Sequence, residues 1–305
     1  ADCHYFQKVT CVDLVNTILP NCDQAGALLL GFASDEGVKR NHGRPGAQQG
    51  PQTIRQALAP LAWTLPAFTL LDGGNIALHD TDLATAQQTL AQYVALGLGQ
   101  KLLSVVIGGG HELAWGHYQG IRHVHPNSRL GVINFDAHFD LRQPTSSQQA
   151  TSGTSFWQMA QDCQQQQLPW HYFCLGIQPA SNTSDLFEQA QQLNVHYCTA
   201  QQLSTMPSIT YQLLQFIANT DHIYLSVCLD VFAQAFAPGV SAPQPLGITP
   251  KQLRPLLTLI FNSRKVIACD IAELSPPWDV DGRTAKLAAF LIDDCLRQFA
   301  SIGAG

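Results

Sequence analysis

This sequence is poor in charge. Only 12% of its 305 residues are Asp, Glu, Lys or Arg, against roughly 25% in ordinary globular proteins. Yet 46% are hydrophobic, which excludes a disordered chain, because disorder needs low hydrophobicity with high net charge. No apolar run reaches the roughly 18–20 residues of a spanning helix. The longest are broken by Gln, Asp or Pro, and mean hydropathy is +0.00, so a membrane bundle is not expected. Basic residues are scarce: 16 Lys and Arg face 22 Asp and Glu, a net charge of −6. With no basic stripe to neutralise phosphates, nucleic acid is not an expected partner. The nine cysteines include no CxxC pair and are odd in number, which is not a disulfide framework. Cys174 and Cys269 sit in apolar runs, where a thiol behaves as a small hydrophobe. A reducing, cytoplasmic setting is the easier reading. The first residues lack the basic-then-apolar pattern of a signal peptide.

What is present is a rhythm. Short apolar runs recur at Ala27–Phe32, Phe68–Leu71, Leu102–Ile107, Leu130–Phe135, Tyr172–Ile177, His222–Leu229 and Lys265–Cys269. They are mostly continuous rather than alternating, as in strands covered on both faces. Helical patterns lie between them near 52–61, 80–98, 112–123, 153–167, 183–193, 207–219, 249–262 and 283–299. This alternation predicts an α/β fold, a three-layer α/β/α sandwich around a mainly parallel sheet. No linker interrupts it, so residues 1–305 read as one domain with an irregular lead-in over 1–25. The Gln-rich stretch Gln161–Gln167 reads as the exposed end of a surface helix.

Open parallel sheets bind ligands beyond the carboxyl ends of their strands, and four of the seven runs end in residues suited to that. Leu102–Ile107 leads into Gly108-Gly109-Gly110-His111-Glu112, where glycines permit a tight turn. Leu130–Phe135 leads into Asp136-Ala137-His138-Phe139-Asp140. In extended chain, residues 136, 138 and 140 share a face. Two carboxylates and an imidazole there are costly unless they bind something. His222–Leu229 is followed by Asp230, on the same face as Cys228 if the strand continues. Lys265–Cys269 leads into Asp270-Ile271-Ala272-Glu273. Singly, each admits a structural reading: a core His, a packed Cys, an acid that caps a helix. Together, His111, Asp136, His138, Asp140 and Asp230 come close to a two-metal site. Such a pair of ions can share a water and lower its pKa, and Glu273 is placed to receive a cationic carbon centre beside it.

These motifs resemble the ureohydrolase superfamily of arginases and agmatinases, in order and spacing, from about Gly26 to Phe299. Ala237-Pro238-Gly239-Val240-Ser241-Ala242-Pro243 is similar as well. Within the superfamily the chain is most similar to the formimidoylglutamases. That likeness rests on Ser34 through Ala47, Gly50-Pro51, Ile54-Arg55, Phe139-Asp140-Leu141-Arg142 and Ser152-Gly153-Thr154. The resemblance implies an arginase-like fold, two Mn2+ ions per subunit, and hydrolysis of N-formimidoyl-L-glutamate to L-glutamate and formamide in histidine degradation. It also implies a small-molecule substrate, with homo-oligomers common and no membrane partner. By motif position, His111 and Asp140 would hold one ion and His138 and Asp230 the other. Asp136 would bridge them, and Glu273 would pair with the amidine-like group. Asp140 would carry the proton.

One position departs from the family pattern: Cys228 stands where a bridging Asp is usual. Thiolate is softer than carboxylate and suits manganese poorly. Three readings follow: Cys228 is a thiolate ligand, a spectator beside a weakened site, or the mark of an impaired enzyme. Reduced metal occupancy is the expectation. The two carboxylates of the implied substrate call for donors, and Arg forks match carboxylates. With so few basic residues, Arg142 and Arg44 are the candidates, with Asn41, Ser152 and Gly153 as neutral donors. His42, His117, His123, His125, His171, His196 and His222 lack carboxylate partners at ligand spacing and read as structural or surface residues. Rival readings are an agmatinase, a guanidinobutyrase, a zinc amidohydrolase on a related fold, or a metal-deficient, non-catalytic relative.

Overall fold

The structure is a computed structural model. It describes residues 3–302 except 17, 18, 20–23, 66, 79, 145–149 and 205. Nine strands form one sheet: β1 (Thr10–Cys11), β2 (Gly26–Ala33), β3 (Thr69–Ala77), β4 (Leu103–Ile107), β5 (Leu130–Phe135), β6 (His171–Ile177), β7 (His196–Thr199), β8 (His222–Cys228) and β9 (Val266–Ala272). All pairings are parallel, in the order β1-β3-β2-β4-β9-β8-β5-β6-β7. The α-helices are α1 (Glu36–Arg40), α2 (Gly50–Leu58), α3 (Leu83–Gly99), α4 (Leu113–Val124), α5 (Ser155–Gln165), α6 (Ser184–Gln192), α7 (Met206–Ala218), α8 (Pro250–Asn262) and α9 (Arg283–Ile302).

Side chains alternate across a strand, so the continuous apolar runs feed two cores. Leu103, Val105, Ile107, Leu225 and Val227 face one core, shared with Ile54 of α2, Leu213 of α7, Leu257 of α8 and Ile292 of α9. Leu28, Leu30, Val106, Val132 and Tyr172 face the other, shared with Leu90 of α3, Ile121 of α4, Met159 of α5 and Leu186 of α6. Helices thus cover both faces, and the expected three-layer α/β/α architecture is the observed one.

All seven expected strands are present. The irregular lead-in is corrected: Thr10 and Cys11 pair in parallel with Leu71 and Asp72 as an edge strand, while 17, 18 and 20–23 lie outside the described residues. Strand β3 runs six residues past the Phe68–Leu71 signal, through Asp72-Gly73-Gly74-Asn75. It does so by pairing Asn75, Ile76 and Ala77 with Gly31, Phe32 and Ala33 of β2, and Arg55 of α2 clamps Asp72 with a two-pronged ion pair, Nε and Nη2 each at 2.7 Å. The most useful feature for function is the order β4-β9-β8-β5 at the centre of the sheet. The four motif-bearing strand ends are neighbours.

Candidate metal centre and its cavity

The turn after β4 requires glycine. Gly108 and Gly109 have φ of 69° and 74°, a region that side chains disfavour. A Cβ at Gly109 would stand 2.2 Å from the Phe32 carbonyl oxygen. The turn carries His111 across the end of β8, where its Nε2 lies 2.8 Å from Ser226 Oγ.

The loop after β5 is not extended, which corrects the strand-alternation argument for Asp136, His138 and Asp140. The strand stops at Phe135. Asp136 Oδ1 accepts the His138 amide at 2.7 Å, closing a turn, and Asp140 adopts φ 50°. Convergence comes from this curl. Asn182 holds it from outside, accepting the Phe139 amide at 3.1 Å and donating to the Ala137 carbonyl at 2.9 Å. Similarly β8 ends at Cys228, and a 3-10 turn over Leu229–Val231, not a continued strand, swings Asp230 inward.

The three loops bring the expected groups together. His111 Nδ1 lies 3.0 Å from Asp136 Oδ2 and 2.9 Å from Asp140 Oδ2. His138 Nδ1 lies 3.1 Å from Asp230 Oδ2 and 3.5 Å from Asp136 Oδ1. Asp136 therefore offers one oxygen to each imidazole. The ligand atoms of His111, Asp136 and Cys228 lie within 4.8 Å of one another, as do those of Asp136, His138 and Asp230. Despite its short distances to the carboxylates, buried His111 Nδ1 has no hydrogen bond of good geometry.

Electrostatics point the same way. Burial alone would push the imidazoles down, but the facing carboxylates reverse this and hold His111 and His138 well above the ordinary range. Burial opposes ionisation of Asp136 too, yet the two imidazoles hold it well below the usual carboxylate range. Asp140 is raised by burial and by the Asp136 charge. The cluster draws positive charge to itself. An unpartnered imidazole nitrogen among carboxylate oxygens is a donor set that fits divalent cations. Cys228 is 2% exposed. Burial, then the charges of Asp136, Asp230, Glu273 and Asp140, push its thiol well above its ordinary value.

Glu273 follows β9 at φ 73°. Its amide donates to the Gly109 carbonyl, and its Oε1 accepts the His111 amide at 2.8 Å. Its Oε2 is buried without a partner. Burial, Glu112 and Asp230 hold the carboxyl well above the usual range. A cavity of about 330 Å³ opens over the centre, lined by Asn41, Arg44, Arg142, Ser152, Ser241 and Glu273 among others. Arg142 is exposed, and its guanidinium has no hydrogen bond or ion pair among the described residues.

Two donor candidates are corrected. Arg44 lines the cavity but is already committed: it donates to the Ser241 and Val240 carbonyls at 3.0 and 2.6 Å and lies 4.5 Å over the Trp278 ring. Gly153 is not on the cavity wall; its amide donates to Thr151 Oγ1 and its carbonyl accepts the Arg142 amide. His117 does have a carboxylate partner, Asp270 Oδ2 at 2.8 Å. Asp270 lies inside β9 rather than at its end. Asn182 and Ser226 are not legible as site residues in the sequence, and Asp270 is legible only as an acid at a strand end. Their contacts come from other strands and loops.

The chain matches the Arginase family over residues 25–297. It is 45% identical to a formimidoylglutamase of Legionella pneumophila (strain Paris), over 96% of this chain and 91% of the relative. Its fold is that of the crystal structure of formimidoylglutamase from Bacillus subtilis, with TM-score 0.85 at 24% identity, covering 98% of this chain and 92% of that one. Trypanosoma cruzi formiminoglutamase, solved with Mn2+, matches with TM-score 0.85 at 22% identity over 99% of each chain. The centre at the ends of β4, β5, β8 and β9 thus stands in a protein of known lineage: the chain belongs to the arginase family.

Proposed function

We propose that this chain is a formimidoylglutamase, hydrolysing N-formimidoyl-L-glutamate to L-glutamate and formamide. The observation that carries the reading is the polarity of one cavity. Its floor is rich in acceptors, with Asp140, Asp230 and the free oxygen of Glu273, while its wall presents the guanidinium of Arg142, unpaired among the described residues. The substrate has the matching polarity, with an amidine cation at one end and two carboxylates at the other. The 45% identity to a named formimidoylglutamase along almost the whole chain supports the same substrate. The absence of a disulfide pattern supports a reducing, cytoplasmic setting, and the chemistry belongs to histidine degradation. Among the described residues, no helix is long and apolar enough to cross a membrane.

His111 and Asp140 would hold one manganese ion, His138 and Asp230 the other, with Asp136 between them. Bound there, the ions supply Lewis acidity and a nucleophilic water at neutral pH. The protein's own groups do the rest. Glu273 pairs its free oxygen with the amidinium and orients the formimidoyl carbon. Asp140 takes the proton released on attack and passes it to the departing glutamate nitrogen. The C–N bond breaks, and formamide and glutamate leave. Arg142 grips a substrate carboxylate.

The test is glutamate and formamide release from formimidoylglutamate with and without added Mn2+, beside agmatine and guanidinobutyrate. Manganese-dependent turnover of formimidoylglutamate alone is expected; preference for agmatine would overturn the reading. In Arg142→Ala, KM is expected to rise at least tenfold, about the loss of one charge-assisted hydrogen bond; an unchanged KM removes Arg142 from substrate binding.

A further inference from the structure

Beneath the metal centre a chain of buried polar groups runs back through the sheet. Ser104 of β4, His117 of α4, Tyr224 and Ser226 of β8 and Asp270 of β9 are all 0% exposed. Asp270 is the hub. Its Oδ1 accepts from Ser226 Oγ at 2.6 Å, and its Oδ2 accepts from the Tyr224 hydroxyl at 2.5 Å and from His117 Nδ1 at 2.8 Å. His117 Nε2 lies 3.0 Å from Ser104 Oγ. Ser226 Oγ continues the chain to His111 Nε2 at 2.8 Å.

Hydrogen counting gives this chain a direction. An ionised carboxylate only accepts, so the single hydroxyl proton of Ser226 goes to Asp270. Ser226 Oγ is then left as an acceptor toward His111, whose Nε2 must carry a hydrogen. A neutral imidazole protonated at Nε2 has its lone pair on Nδ1. That atom faces Asp136 and Asp140. The far end needs the same accounting. Buried Asp270 stays anchored by three donors, one of them His117, which is fixed in turn by Ser104 and packed edge-on against Tyr224 with ring centroids 4.8 Å apart.

We infer that His117 is a positioning residue of the metal centre, acting through Asp270 and Ser226 to hold His111 in the tautomer that leaves Nδ1 free for a cation. This rests on the reading of His111 as a metal ligand. Without the His117 donor, the Asp270 carboxylate is free to turn away from the Ser226 hydroxyl. The hydroxyl can then rotate and donate to His111 Nε2, which selects the wrong tautomer. Outer partners of ligating histidines carry weight of this kind, typically 10–100-fold in metal affinity.

The test measures Mn2+ affinity by titration calorimetry on metal-stripped protein, with no substrate present, and the visible spectrum of the cobalt(II)-loaded protein. His117→Phe keeps a ring of similar size but no donor, and should weaken one manganese ion by at least tenfold and alter the cobalt bands. His117→Asn, whose amide can replace Nδ1–H, should restore both. Ser226→Ala should weaken the same ion, and adding His117→Phe to it should cost little more, because both act along one path. This pair remains informative through Ser226→Ala and His117→Asn even if His117→Phe fails to fold. His117→Phe with wild-type metal affinity and only a lower melting temperature would overturn the inference alone, as would additive losses in the double variant. A wild type that takes up no manganese would overturn the metal reading itself.

Discussion

At the residue scale the centre turns on two side chains. Cys228 sits with His111 and Asp136, and its thiol is held protonated by burial and four carboxylates. To ligate, it must lose that proton into an already anionic cluster and then offer soft sulfur to a hard ion. Cys228→Asp should therefore tighten Mn2+ binding by about tenfold or more, the scale of change associated with altering a metal site's surroundings. Unchanged affinity in a calorimetric titration would make the thiolate a competent ligand. The proposed mechanism gives Asp140 a second duty. Burial and the Asp136 charge raise its carboxyl, which suits a group that takes and returns a proton. Asp140→Asn keeps the shape and removes that capacity, so kcat should fall by at least about a hundredfold, the lower end of general acid–base contributions. Metal content measured alongside separates lost proton transfer from lost metal.

At the scale of elements, much was legible in sequence and some was not, for identifiable reasons. The runs from Ala27–Phe32 to Lys265–Cys269 gave their strands away because both faces are buried and the pattern is unbroken. Strands β1 and β7 were silent: one is two residues long, and the other exposes His196 and Tyr197. The metal-binding residue types were readable, but how they converge was not. It depends on the Asp136–His138 turn, the Asn182 clamp and the 3-10 turn at Asp230, none of which has a periodicity. The His117–Asp270 contact joins residues 153 positions apart, beyond any local signal. The turn after β4 yields the element-scale prediction. Gly109→Ala places a methyl group on the Phe32 carbonyl and shifts the Gly109 carbonyl that receives the Glu273 amide. Gly74 has a similar φ, 77°, but open space around it. Gly74→Ala should cost about 1 kcal/mol, the conformational part alone. Gly109→Ala should cost about 3 kcal/mol or more and lower kcat. Equal costs in denaturant titrations would show that the contact with Phe32 is relieved cheaply.

At the scale of the whole molecule, the sheet order decides what the motifs can do. Four strand ends separated by up to about half the chain become neighbours only because β9 and β8 insert between β4 and β5. The same sheet runs from Thr10 to Ala272, and α9 returns to pack its Ile292 against the core shared with Ile54, Leu213 and Leu257. We propose on this ground that the chain folds as one domain. Far-UV circular dichroism and tryptophan fluorescence should then report one coincident unfolding transition. The fluorescence probes are spread along the chain, at Trp63, Trp115, Trp157, Trp170 and Trp278. Two separated transitions would overturn the single domain. On the proposed reading, metal binding couples to that transition. Asp136, Asp140, Asp230 and Glu273 are four of the 22 acids of a net acidic chain, gathered at one sheet edge. A cation that binds there stabilises only the folded state, by about 2.7 kcal/mol per ion at a hundredfold excess over Kd. At roughly 2 °C per kcal/mol for a chain of this size, Mn2+ should raise the melting temperature by about 5 °C per bound ion relative to chelated protein. The transition should remain single, because the ligands come from the ends of three strands of one sheet. A melting temperature that manganese leaves unmoved would deny that the cluster is a metal site in the folded protein.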